Sequence, residues 1–216
     1  MEAHSRLSAA LGMIAIMSMH SAARANPPQA PSLFTAPAPV AAPVVKLNPH
    51  ARDGHVLSFH FDDLPQALTQ VAATADFQVA NVECVPVDYG KAIGGVRLAP
   101  RHSLPLSLNR GDDGRYVAIV HVDALLDEDY YGLGVCRWEL TTATVHFHSP
   151  STHFVGGLKA ERLIAGGETV QYYLTRDLAH KPRSMDYVYG ETAADFYQPS
   201  AGPQFTLVLN AHKEVP

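Results

Sequence analysis

From residue 55 onward, apolar and polar side chains alternate over short stretches, the period of a strand with one buried face. Residues 55–61 (HVLSFHF), 77–85, 116–122 (YVAIVHV), 154–158, 169–175 and 205–210 carry this pattern, as does the long Thr-, Val- and Phe-rich run 135–148. In that run the alternation slips at Thr141-Thr142, which predicts a β-bulge. Residues 104–108 also alternate, but Pro105 has no N–H for a ladder and places the segment at a sheet edge. The turn cluster 109–114 (NRGDDG) follows, so 104–108 and 116–122 are expected to pair as a hairpin. One stretch reads differently: Leu64, Leu68, Val71 and Ala72 recur at helical spacing. With Asp63 as cap and Pro65 in the first turn, they predict a short helix over 64–75. Short strands joined by Gly and Pro turns make the expected fold mainly β, a disulfide-stapled β-sandwich with one short helix.

The first fifty residues lack this alternation. Arg6 precedes an apolar run, 7–19 (LSAALGMIAIMSM), and Ala23 and Ala25 supply the small residues a signal peptidase reads. Residues 1–25 are therefore expected to be an export signal, with Asn26 as the new N-terminus. The run is shorter than the 18 or more residues of a membrane span. Residues 26–50 hold seven prolines, Pro27, Pro28, Pro31, Pro37, Pro39, Pro43 and Pro49, among alanines. Proline fixes φ and removes a donor, so an extended spacer is expected there, ahead of one β-rich domain over 51–216. The expected location is the periplasm or the exterior. The two cysteines, Cys84 and Cys136, fit it, because an even count in an oxidising compartment reads as a disulfide.

The balance of 16 Lys+Arg against 21 Asp+Glu leaves a formal net charge of −5. A nucleic-acid binder would need a basic face, so no nucleic-acid partner is expected. The most distinctive stretch is 123–134 (DALLDEDYYGLG). Asp123, Asp127, Glu128 and Asp129 cluster there, and no Lys or Arg lies between Arg115 and Arg137. Hard cations take several carboxylate oxygens, but the spacing matches no EF-hand loop. Tyr130 and Tyr131 beside the acids favour a contact surface for a basic protein partner, because tyrosines add contact area at low entropic cost. The partner-binding residues expected are Asp127, Glu128, Asp129, Tyr130 and Tyr131.

His146 and His148 share a strand face, and His153 follows a turn at Ser149-Pro150, an arrangement zinc can use. Exposed strands also carry histidines without any ligand role, and neither a metal nor another cofactor is expected. Hydrolytic signatures such as G-x-S-x-G and H-E-x-x-H, and the phosphate-binding P-loop, are absent from the sequence. No catalytic residue is assigned. Trp138, two positions beyond Cys136, falls on the same strand face as the sulfur and is expected to pack against the disulfide.

Two resemblances add to this. Residues 59–83 (FHFDDLPQALTQVAATADFQVANVE) resemble the opening strand–helix–strand of the small domain at the N-termini of secretins and TonB-dependent receptors. The likeness ends there, because the Pro-broken segment 103–109 stands where that domain has its second helix. The whole layout resembles periplasmic immunity proteins, which bacteria keep against secreted antibacterial effectors. Signal, spacer, single disulfide-stapled β-rich domain and acidic loop carry this likeness, and 127–138 (DEDYYGLGVCRW) looks like a stretch of small exported proteobacterial proteins. It implies an exported binding protein that neutralises a protein partner. A periplasmic hydrolase with a dispersed site and an envelope assembly protein remain the alternatives.

Overall fold

In the computed structural model, residues 40–180 and 186–215 are described. The expected export signal and the first part of the spacer lie outside them. Ten strands and one helix follow in order: β1 (Gly54–Asp62), β2 (Gln70–Val79), β3 (Arg101–Pro105), β4 (Asn109–Arg110), β5 (Tyr116–His121), β6 (Trp138–His148), β7 (His153–Lys159), α1 (Ala160–Ala165), β8 (Gly167–Leu174), β9 (Val188–Tyr189) and β10 (Gln204–Lys213). They form two five-stranded sheets, ordered β4-β5-β1-β10-β8 and β3-β2-β6-β7-β9. All pairings are antiparallel except β7 with β9. The fold is the expected β-sandwich.

The core lies between the sheets and follows the period of two. One sheet contributes Leu57 and Phe59 from β1, Tyr173 from β8, and Phe205, Leu207 and Leu209 from β10. The other contributes Ala73, Ala75 and Phe77 from β2, Val145 and Phe147 from β6, and Phe154 and Leu158 from β7. Aromatic rings join the layers: Phe147 stacks on Phe154 at 5.0 Å within one sheet and meets Tyr173 of the other edge-on at 5.2 Å. Such pairs contribute about 0.5–1.5 kcal/mol beyond the area they bury.

Hydrogen bonds also cross between the sheets. The Gln171 amide donates to the Gly157 carbonyl and accepts the Gly157 N–H, both at 3.0 Å. The Tyr173 hydroxyl donates to the Val155 carbonyl at 3.1 Å. Burial, with the Tyr197 hydroxyl adding to it, pushes the Tyr173 phenol far above its ordinary pKa, so it stays a donor. This clamp needs bare backbone: a Cβ on Gly156 would sit 2.5 Å from both the Tyr173 hydroxyl and the Gln171 carbonyl oxygen.

Three expectations are corrected. Residues 64–75 form no helix. Residues 64–68 are irregular, and β2 begins at Gln70. Val71, Ala73, Ala75 and Phe77 fall on one strand face and pack inward, and that packing outweighs alanine's helix preference. The secretin-like strand–helix–strand is therefore absent, and the short helix is α1, which lays Leu163 into the core instead. Cys84 sits on a 3-10 turn, Val82–Cys84, because β2 ends at Val79. The expected hairpin is split between sheets: β3 pairs with β2, β5 pairs with β1, and only Asn109–Arg110 pair back onto β5. The edge position of Pro105 and the bulge are as expected. Asp76 faces Thr142 and Phe77 faces Leu140, leaving Thr141 as the extra residue.

Candidate binding surface at the disulfide end

Cys84 and Cys136 are bonded, and both are buried. Around them Val79 and Val85 form a second small core, covered by Tyr130, Tyr131 and Trp138. Trp138 thus packs beside the disulfide, half-buried, as its strand position implies. Its indole N–H donates to the Tyr130 hydroxyl at 3.2 Å, and that hydroxyl donates to the Leu126 carbonyl at 2.6 Å. The Cys136 N–H donates to the Glu128 carbonyl at 2.9 Å.

The acidic residues close this loop from within. Asp127 accepts the backbone N–H of Trp138 at 2.8 Å, and Asp129 accepts that of Leu133 at 3.0 Å. Both carboxylates serve as turn acceptors while remaining exposed. Glu128 is ion-paired with Lys46 at 2.9 Å. Asp123 points elsewhere and accepts the N–H groups of Arg52 and Asp53. Burial works against its charge, but those backbone donors outweigh it and hold the Asp123 carboxyl below the ordinary carboxylate range. Burial pushes the Tyr131 phenol up, and its hydroxyl donates to the Ala41 carbonyl at 3.3 Å. The last part of the expected spacer is laid against the loop: Leu47 bridges Leu125, and the Asn48 N–H donates to the Ala124 carbonyl at 2.8 Å.

Between Gly132 and Gly134, both at positive φ, the loop turns Leu133 outward, 51% exposed, and Val135 follows at 53%. A neighbouring loop, closed by the Asp88–Val96 bridge and by Arg97 donating to the Glu83 and Val85 carbonyls, exposes Tyr89 and Ile93. The disulfide joins the two loops. The expected residues 127–131 are therefore gathered at one end of the sandwich. The exposed apolar residues beside them were not singled out in the sequence. The sign was present in the run Gly-Leu-Gly-Val, where glycines flank a leucine that no strand can bury.

The outer face of the second sheet holds the other constellation. Asp76 accepts hydroxyl hydrogen bonds from Ser103 at 2.5 Å, Thr144 at 2.5 Å and Thr74 at 3.2 Å. His146 Nδ1 meets His153 Nε2 at 3.2 Å, His148 stacks on His153 at 3.9 Å, and Tyr187 meets His153 edge-on at 4.6 Å. Desolvation, reinforced by the neighbouring His148 and His146 rings, lowers the His153 pKa to about 4. The imidazoles bond or stack with each other instead of converging on a point. No group of three or more His, Cys, Asp or Glu side chains among the described residues is placed to hold a metal ion. Ser103 gives its proton to Asp76, so it lacks the imidazole contact that activates a nucleophilic serine. Compared with protein-family models, curated proteins and solved structures, the chain matches none of them.

Proposed function

We propose that the protein is an exported binding protein that neutralises a protein partner by occlusion, the partner being a secreted antibacterial effector of the kind periplasmic immunity proteins block. The observation that carries this reading is the disulfide-joined loop pair, which holds Leu133, Val135, Tyr89 and Ile93 exposed at one end of a rigid sandwich. Exposed apolar side chains set in polar surroundings mark contact surfaces. Holding them in place beforehand removes much of the ordering cost of association. Asp127 and Asp129 keep their charge at the surface while bracing the loop, so they can steer a basic partner. The disulfide fits an oxidising compartment, which supports the periplasmic placement.

The test is affinity capture from periplasmic and secreted extracts, run in parallel with the native protein and with Leu133→Asp/Val135→Asp. A protein retained by the native chain, released by the variant and inactivated by native binding is the expected result. Identical capture profiles for the two would remove the loop end from the site. Failure to inhibit any retained protein would reject the neutralising role.

A further inference from the structure

A cavity lined by residues other than those of the loop pair lies elsewhere in the described chain. It has a volume of about 610 Å³ and opens between residues 60–68 and the β4–β5 turn. β1 runs from the acidic-loop end, where Arg52 and Asp53 donate to Asp123, to this cleft at Asp62, a span of roughly 27 Å for a strand of its length. The cleft shares no lining residue with the loop pair, so it plays no part in the occlusion proposed above.

The apolar part of the wall is Phe61, Leu64, Leu68 and Tyr116, all packed on the core. The charged part is unbalanced in an informative way. Asp113 is held by Arg115, whose N–H donates to it at 3.0 Å and whose guanidinium lies 3.7 Å away. Asp62 faces His60 at 3.4 Å. Two charges are left over. Arg110 lies over the Tyr116 ring, 5.4 Å from its centroid, and has no carboxylate partner among the described residues. Asp63, the one non-glycine residue at positive φ among the described residues (56°), has no donor partner there either. Both line the same cavity, and no ion pair joins them.

Arg110 and Asp63 are both exposed, without an ion-pair partner among the described residues, and the carboxylates of Asp62 and Asp63 on this lining disfavour a simple anion. Arg110 disfavours a simple cation. A ligand carrying both signs satisfies both. We propose that this cleft binds a small zwitterion, a free α-amino acid or short peptide with an apolar side chain. Arg110 takes its carboxylate, Asp63 with Asp62 takes its ammonium, and the Phe61–Leu64–Leu68 wall takes its side chain. The guanidinium fork suits a carboxylate because it offers two parallel N–H donors.

The experiment is calorimetric titration of the full domain with L-leucine and L-leucyl-L-leucine, each beside its N-acetylated and its C-amidated form. The zwitterions should bind, and blocking either end should weaken binding at least tenfold, about 1.4 kcal/mol. Arg110→Gln should abolish the preference for the free carboxylate, making amide and acid equivalent. Asp63→Asn, which keeps a residue tolerant of positive φ, should abolish the preference for the free ammonium. The ligand-side comparisons need no variant, so a variant that fails to fold leaves the test intact. Equal affinity of free and blocked ligands overturns the zwitterion assignment. No heat and no thermal stabilisation with any of the six ligands overturns the site itself. Neither outcome bears on capture of a partner by Leu133 and Val135.

Discussion

Replacing both Cys84 and Cys136 by alanine tests how much of the fold rests on the single bridge. The bond closes 52 positions of sequence. In the chain-entropy model, freeing a loop of that length returns about 4 kcal/mol of conformational freedom to the unfolded chain. Local contacts add little to that figure. The Cys136 N–H keeps its acceptor on Glu128, and Val79, Val85 and Trp138 keep each other as neighbours. For a domain of roughly 170 ordered residues, about 3 °C of Tm per kcal/mol turns the loss into a fall of about 12 °C. Differential scanning calorimetry of the oxidised native protein and the double variant gives that shift directly. Far-UV circular dichroism at 20 °C should be unchanged, since neither cysteine lies in a strand. Capture by Leu133 and Val135 should weaken more than stability alone requires, because the bond joins the two loops that present the surface. A Tm change under about 3 °C would refute the entropic argument. It would mean that the unfolded chain stays compact around residues 79–138 without the bond.

Neutralising the acidic loop as Asp127→Asn/Glu128→Gln/Asp129→Asn retains acceptors for the Trp138 and Leu133 N–H groups. Stability should therefore hold in a thermal melt, while stopped-flow association with the captured partner slows and loses its salt dependence. Unchanged kinetics would remove these residues from the surface. Gly156→Ala drives a methyl into the Tyr173–Gln171 clamp, and urea titration should show a loss of about 3 kcal/mol, in the range of overpacked cores. A neutral outcome would mean that the sheets separate there at little cost. For His153 the folded pKa, about 4, lies below the ordinary 6.5, so the unfolded chain takes up a proton that the folded one refuses. Its contribution to stability is present above pH 6.5 and declines as the pH falls toward 4. His153→Gln should flatten the dependence of urea midpoint on pH across that window. An identical slope in both proteins would place the acid sensitivity elsewhere.

The sequence alone determined the layers of this protein where one face of a strand carries large apolar residues. In β1, β6, β7, β8 and β10 the period of two puts Leu57 and Phe59, Val145 and Phe147, Phe154 and Leu158, Tyr173, or Leu207 and Leu209 on the core side, and a one-residue slip would expose them all. Pro105 at an edge and the bulge at Thr141 were legible for the same reason: each is a local departure from a local pattern. The pairing of Cys84 with Cys136 needed only a count. The clustering of the acids and tyrosines at 127–131 was legible as a segment, but its internal bonds were not. Tertiary structure decided the rest, because the deciding contacts are distant in sequence. β2 is a strand because Ala73, Ala75 and Phe77 are buried in the core shared by the two sheets, and alanine carries no strand signal of its own. β3 and β5 part company because each finds a longer partner, β2 and β1, than the other could offer. Residues 154–158 read as a strand, but only the tertiary structure brings Gln171 and Tyr173 from the other sheet to bond the backbone of Gly157 and Val155. The cleft at Arg110 and Asp63 belongs to the same class. Two residues far apart in sequence come to line one cavity only through the fold, which supplies neither with an ion-pair partner among the described residues.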